Sequence, residues 1–96
     1  MTPEAIAAAQ EQLFALKAAI VERAQRSGQL RADVAPSDIA VIIWGIAGSM
    51  DATRDVAPDS WRRHLALALD GLRAGAAHPL PTPPLTPSQL RDARPR

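Results

Sequence analysis

Residues 39–50 read IAVIIWGIAGSM, twelve positions without one charge. Their bulky apolar side chains do not keep to a single helical face. Ile39, Ile42, Ile43, Ile46 and Met50 follow the i, i+3, i+4, i+7 rule and make one stripe, while Val41, Trp44, Gly45 and Gly48 make a second one roughly opposite. A glycine inside a helix costs about 1 kcal/mol relative to alanine, and a surface without Cβ atoms admits another helix at close range. Two neighbours fit that groove: another helix of the same chain, or a second copy of the protein.

The cover available inside the chain is limited. Of its 96 residues, the last eighteen are too rich in proline to help a core, which leaves about 75 to fold. Chains of that size bury only about 60% of their unfolded surface, and oligomerisation is a common remedy. Hydrophobic residues make up 47% of the sequence, enough for an ordered chain. Eleven basic and ten acidic residues leave a formal charge of +1, which predicts neither a strong nucleic-acid footprint nor attraction to anionic membranes. There is no cysteine, which excludes disulfides, thiolate metal sites and cysteine nucleophiles. MTPEAIAAAQEQ at the start has no basic region followed by an apolar run and is not a secretory signal. The apolar run 39–50 falls short of the roughly 20 residues a bilayer span needs, and Ser37, Asp38, Asp51 and Arg54 crowd its flanks. Cytoplasmic residence fits.

Four Pro-plus-polar signatures punctuate the chain: TPEA from Thr2, APSD from Ala35, APDS from Ala57 and TPSQ from Thr86. Proline suits the first helical position, where its missing N–H has no intrahelical partner and its fixed φ is already helical. Each signature reads as a helix start. Thr2 is a good N-cap; Ala35 and Ala57 are poor ones, so Ser37, Asp38, Asp59 and Ser60 are left to satisfy the first-turn donors. The expected fold is all-α with three main helices, at about 3–27, 36–53 and 58–73. In the first, Ile6, Ala9, Leu13, Leu16, Ile20 and Ala24 form the apolar stripe, Phe14 and Val21 widen it, and Gly28 is the stop. The short linker 28–35 turns the second helix back against the first. In the third, Trp61, Leu65, Ala68, Leu69 and Leu72 share a stripe, with His64, Leu67 and Gly71 as a weaker second patch. Residues 1–78 read as a helical domain and 79–96 as a proline-rich tail holding six of the nine prolines. That tail is expected to be extended, with Leu80, Leu85 and Leu90 as candidate anchors. Its P-x-x-P spacings, Pro81/Pro84 and Pro84/Pro87, are common in any proline-rich stretch.

Catalytic chemistry finds little to build on. His64 and His78 are the only imidazoles, and neither has a carboxylate or histidine at metal-ligand spacing. Asp51, Arg54, Asp55 and Asp59 read as a solvated helix end and loop. Ser60, His64 and Asp59 could be assembled on paper into a nucleophile set, but no oxyanion loop follows and Ser/His at i, i+4 is commonplace. The expectation is a protein that is not an enzyme and takes no metal or cofactor.

The junctions resemble a known family. RAQRSGQLRADVAPSDIAVIIWGIAG, with its Gly-x-Leu-Arg-x-Asp turn between a long helix and an apolar one, resembles the C-terminal regulatory half of TetR/AcrR-family transcriptional regulators. WRRHLALALDGLRAGAAHPLPTPPLT looks like the last helix and tail of the subgroup with an SbtR-like C-terminal domain. Together they span roughly residues 20–87.

That resemblance implies a bacterial, cytoplasmic regulator whose last two long helices pair with those of a second subunit in a four-helix bundle, the same patch meeting itself about a two-fold axis. Mapped here, the dimer interface takes Val41, Trp44, Gly45, Gly48, His64, Leu67 and Gly71. Trp44 fits an interface anchor and a residue of the subunit's own core equally well. A ligand site for a small apolar molecule would draw on Phe14, Ile43, Ile46 and Met50, although the family's inducer pocket also uses helices that precede the first one here. Nothing in the chain can serve as a helix-turn-helix: the first helix is rich in Ala and Gln, and Asp33 sits in the turn after it. The chain is therefore expected to read no operator DNA alone, as a gene remnant, a misplaced start or a natural truncation. Two other functions compete: a free-standing helical adaptor that forms heterodimers with a full-length regulator, and a small enzyme using His64.

Overall fold

The computed structural model describes residues 1–93. The first helix, α1, runs Pro3–Arg26, one residue shorter than expected. The Thr2 hydroxyl accepts the Ala5 N–H at 3.1 Å, and Glu4 in the first turn and Arg23 and Arg26 in the last complement the helix dipole. Gly28 follows at φ 82°, a left-handed conformation that costs other L-residues roughly 1–2 kcal/mol. The chain then reverses into α2, Pro36–Thr53. Only half of a capping box forms there: Asp38 accepts the Ala35 N–H at 2.8 Å, and alanine has no side-chain acceptor to reciprocate. Ser37, expected to serve the first-turn donors, instead donates its hydroxyl to the Leu85 carbonyl at 2.7 Å and is buried.

The third helix, α3, spans Trp61–Leu72 rather than starting at Pro58. Ala57 offers no cap, and residues 57–63 wind tightly instead, with i→i−3 bonds from Ser60 to Ala57, Arg62 to Asp59 and Arg63 to Ser60. The Ser60 hydroxyl goes to Thr53 Oγ1 at 3.0 Å and caps nothing. A single 3₁₀ turn, Ala74–Ala76, leads into the proline-rich segment. That segment is extended only as far as Thr86. There a reciprocal Thr86/Gln89 capping box, with bonds of 3.0 and 3.1 Å, starts a short helix, α4 at Pro87–Asp92, so the tail is not extended throughout.

Packing runs α1 on α2 and α2 on α3. The half-buried residues of α3 are Trp61, Leu65, Ala68 and Leu72, one clean stripe from which the expected Leu69 is missing because it is 52% exposed. On α2 the covered stripe is Ile42, Ile46, Ser49 and Thr53. The core is slight: among the described residues Val21 and Val34 are the buried apolar ones, and none has a fully enclosed side chain. The apolar stripe of α1 is largely bare, with Leu16 and Ile20 more than 60% exposed, because the first half of α1 has no buried residue and lies beyond the turn where α1 meets α2. The radius of gyration, 15.3 Å, exceeds the roughly 12.5 Å of a compact domain of this length.

A polar clip does what the core does not. The buried Arg31 holds Asp33 in a two-pronged pair, Nε to Oδ1 at 2.6 Å and Nη2 to Oδ2 at 2.9 Å. The same guanidinium donates to the Gly71 carbonyl at 3.2 Å and the His78 carbonyl at 2.6 Å. Backbone bonds from Arg31 N to Leu72 O and from Ala74 N to Gln29 O complete a two-rung ladder between the α1–α2 turn and the end of α3. Gln25 Nε2 lies within 3.2 Å of the Arg31, Ala32 and Val34 carbonyls, fixing the turn from the other side. One charged residue thus anchors three segments, and each of its three guanidinium nitrogens has an acceptor, as a buried charge requires.

The Asp33 carboxyl is held below the ordinary carboxylate range, first by the hydrogen bonds from Arg31 and then by its charge. A carboxyl whose pKa is lower in the folded chain contributes stability above its unfolded pKa, and that contribution fades as pH falls through the folded value. Asp33→Asn is therefore expected to weaken the fold at pH 7. The gap to the unsubstituted chain should close below about pH 4, as read by urea unfolding at a series of pH values.

Candidate functional site

Two surfaces flank α2. At 100° per residue, Val41, Gly45 and Gly48 lie on one side and Ile39 and Ile43 on the other. On the first side a Cβ built at Gly45 or Gly48 would meet no atom within 4 Å, so neither α1 nor α3 fills the groove. Val41 and Leu67 are exposed apolar residues, His64 and Gly71 are exposed, and Trp44 is half-buried. Apart from Trp44, these residues of α2 and α3 are exposed surface. His64 stands alone on it: Asp59 faces Arg62 at 3.9 Å, and the Ser60 hydroxyl is turned to Thr53, so the three residues do not form a catalytic set.

The other side of α2 holds a cavity of about 310 Å³. Lys17, Ile20, Val21 and Ala24 supply its α1 wall, Ile39, Ala40 and Ile43 its α2 wall, and Leu30 and Pro36 close the end at the turn. Of the four residues expected around a ligand, Ile43 borders this cavity and Phe14, Ile46 and Met50 do not. The geometry explains why. The lining lies at the ends of α1 and α2 nearest the turn, and Phe14, Ile46 and Met50 lie further along their helices. Which rungs of the two helices line it depends on register across the turn, which helical periodicity alone does not give.

The chain exposes 7610 Å², whereas a compact protein of its mass exposes about 5,300 Å². Part of the surplus belongs to the tail, and part to the α1 stripe and the α2–α3 face.

The sequence model of the C-terminal domain of SbtR-like transcriptional regulators matches residues 1–74. The chain belongs to that family. No curated protein and no solved structure matches it. The SbtR-like match covers α1, α2 and α3, and therefore the groove, the cavity and the Arg31 turn; it stops just before His78 and the tail. Domains of this TetR type commonly dimerise and bind small ligands. Among the described residues of this SbtR-like domain, no helix is long and apolar enough to cross a membrane.

An open groove makes a clear statement about alanine. With nothing near the missing Cβ, Gly48→Ala is expected to stabilise the isolated protomer by roughly 0.5–1 kcal/mol through helix propensity. Urea unfolding at concentrations low enough to dissociate any dimer measures it.

Proposed function

We propose that these residues are the dimerisation and ligand-sensing part of a transcriptional regulator, in which α2 and α3 of two copies pair about a two-fold axis and a small apolar molecule enters the α1–α2 cavity. The open Gly45/Gly48 groove carries the reading. It is apolar, it lacks Cβ atoms, and no part of the described protomer covers it. Val41, Trp44, His64, Leu67 and Gly71 surround it on the proposed interface. A four-helix arrangement of two such pairs would shelter the second stripe of α2 with the same stripe of its mate. The cavity and the groove sit on opposite flanks of one helix. A ligand that shifts α2 by its Ile39/Ile43 side moves the surface offered to the partner, which is how a sensing domain can transmit occupancy.

Operator reading is not part of the proposal for these 96 residues. The formal charge is +1, and α1, with its Ala-rich surface, carries no basic stripe of the kind that meets phosphates. DNA contact would come from elsewhere in the assembly.

Gly48→Leu places a branched side chain in the groove, and overpacking a close helix contact commonly costs about 1–3 kcal/mol. The dimer dissociation constant is expected to rise by roughly five- to 150-fold, read by sedimentation velocity on dilution. An unchanged constant would place the interface elsewhere, and preferential subunit exchange with a full-length regulator would favour the heterodimeric adaptor.

A further inference from the structure

The proline-rich tail meets the helical body at two points and stands off between them. The His78 carbonyl accepts from Arg31 Nη2 at 2.6 Å, and the Leu85 carbonyl accepts from the Ser37 hydroxyl at 2.7 Å. Arg31 and Ser37 are the buried polar residues among those described, 8% and 4% exposed. Between the two ties, residues 80–84 border a cavity of about 350 Å³ together with Asp33 and Asp38. Residues 77–89 are all exposed, so little apolar surface returns to water if this stretch lifts. Pro79, Pro81, Pro83 and Pro84 have no N–H to offer the body and hold φ by their own rings, which keeps the stretch stiff whether attached or not. Leu90 and Ala93, beyond it, are half-buried.

The two ties are unequal. The one at His78 is charge-assisted, and such bonds are roughly twice as strong as neutral ones; the one at Leu85 joins a hydroxyl to a carbonyl. The His78 end is also held through the chain just before it, where Ala74 N–H donates to the Gln29 carbonyl at 2.9 Å. Release therefore begins at Leu85. Even with the His78 carbonyl gone, Arg31 keeps both oxygens of Asp33 and the Gly71 carbonyl, so the body retains its own clip.

We infer that residues 79–93 form a strap that opens and closes on a folded body, hinged at His78 and latched by Ser37. The latch sits in the first turn of α2, so the closed strap clamps the start of the helix on which both α1 and α3 pack. The device is independent of the dimer and ligand readings of α2.

The Leu85–Thr86 bond is a chymotrypsin site, and its carbonyl is the latched one. A serine protease must draw that oxygen into its oxyanion hole, so cleavage requires release and reports the open fraction when closing outpaces cleavage. In the full chain, cleavage after Leu85, followed by mass spectrometry, is expected to depend only weakly on urea below the unfolding range seen by tryptophan fluorescence, since opening exposes little surface. Ser37→Ala should speed it about two- to tenfold, with cleavage after Phe14 in α1 and the urea midpoint unchanged. A rate at Leu85 that ignores Ser37→Ala would show the latch to be idle. A rate that tracks global unfolding, or rises together with cleavage at Phe14, would show tail and body opening as one; either result overturns the strap.

Discussion

Everything in this protein follows from a shortage of cover. A helix such as α2, apolar on two sides, needs neighbours on both, and the chain supplies one and a half. α3 packs on α2, whose Ile42/Ile46/Ser49/Thr53 stripe is half-buried, α1 and α2 leave a cavity at the Ile39/Ile43 flank, and Gly45 and Gly48 on the remaining flank face open space among the described residues. Hydrophobic burial is the main favourable term in folding. A protomer whose buried apolar residues, among those described, are Val21 and Val34 leaves much of that term unrealised on its own.

What gives the lone protomer a definite shape is polar. Arg31 joins the α1–α2 turn to the carbonyl end of α3 and to the start of the tail, and Ser37 fastens the tail again at Leu85. Directional bonds of this kind specify geometry more than they add stability, because each replaces a bond to water. The clip therefore sets the angle at which α2 and α3 present their common face. The family match ends at residue 74, before the His78 and Leu85 carbonyls that the clip also uses.

Much of the fold was legible because helix starts and stops are local. Thr2, Asp38, Gly28 and the Thr86/Gln89 pair act through hydrogen bonds or φ preferences within a few residues, and the structure uses each of them so. Pro58 misled because Ala57 cannot cap, and the following residues took i→i−3 bonds instead. The α1 stripe was legible as a stripe, but periodicity identifies an apolar face and is silent on what lies opposite. Lys17 and the cavity rungs were missed for a related reason, since they depend on register across the turn. The role of Arg31 was invisible too, because two acceptors of its guanidinium, the Gly71 and His78 carbonyls, are backbone groups forty or more residues away.

These pieces combine into one device. A cavity on one flank of α2 and an uncovered small-residue groove on the other make that helix the shared wall between a proposed ligand and a proposed partner. Light scattering behind a sizing column, on the unsubstituted chain at micromolar concentration, addresses the account most directly. It predicts a particle of twice the 10.2 kDa chain mass. A particle of the single chain mass, with Trp44 sheltered from aqueous quenchers, would contradict it.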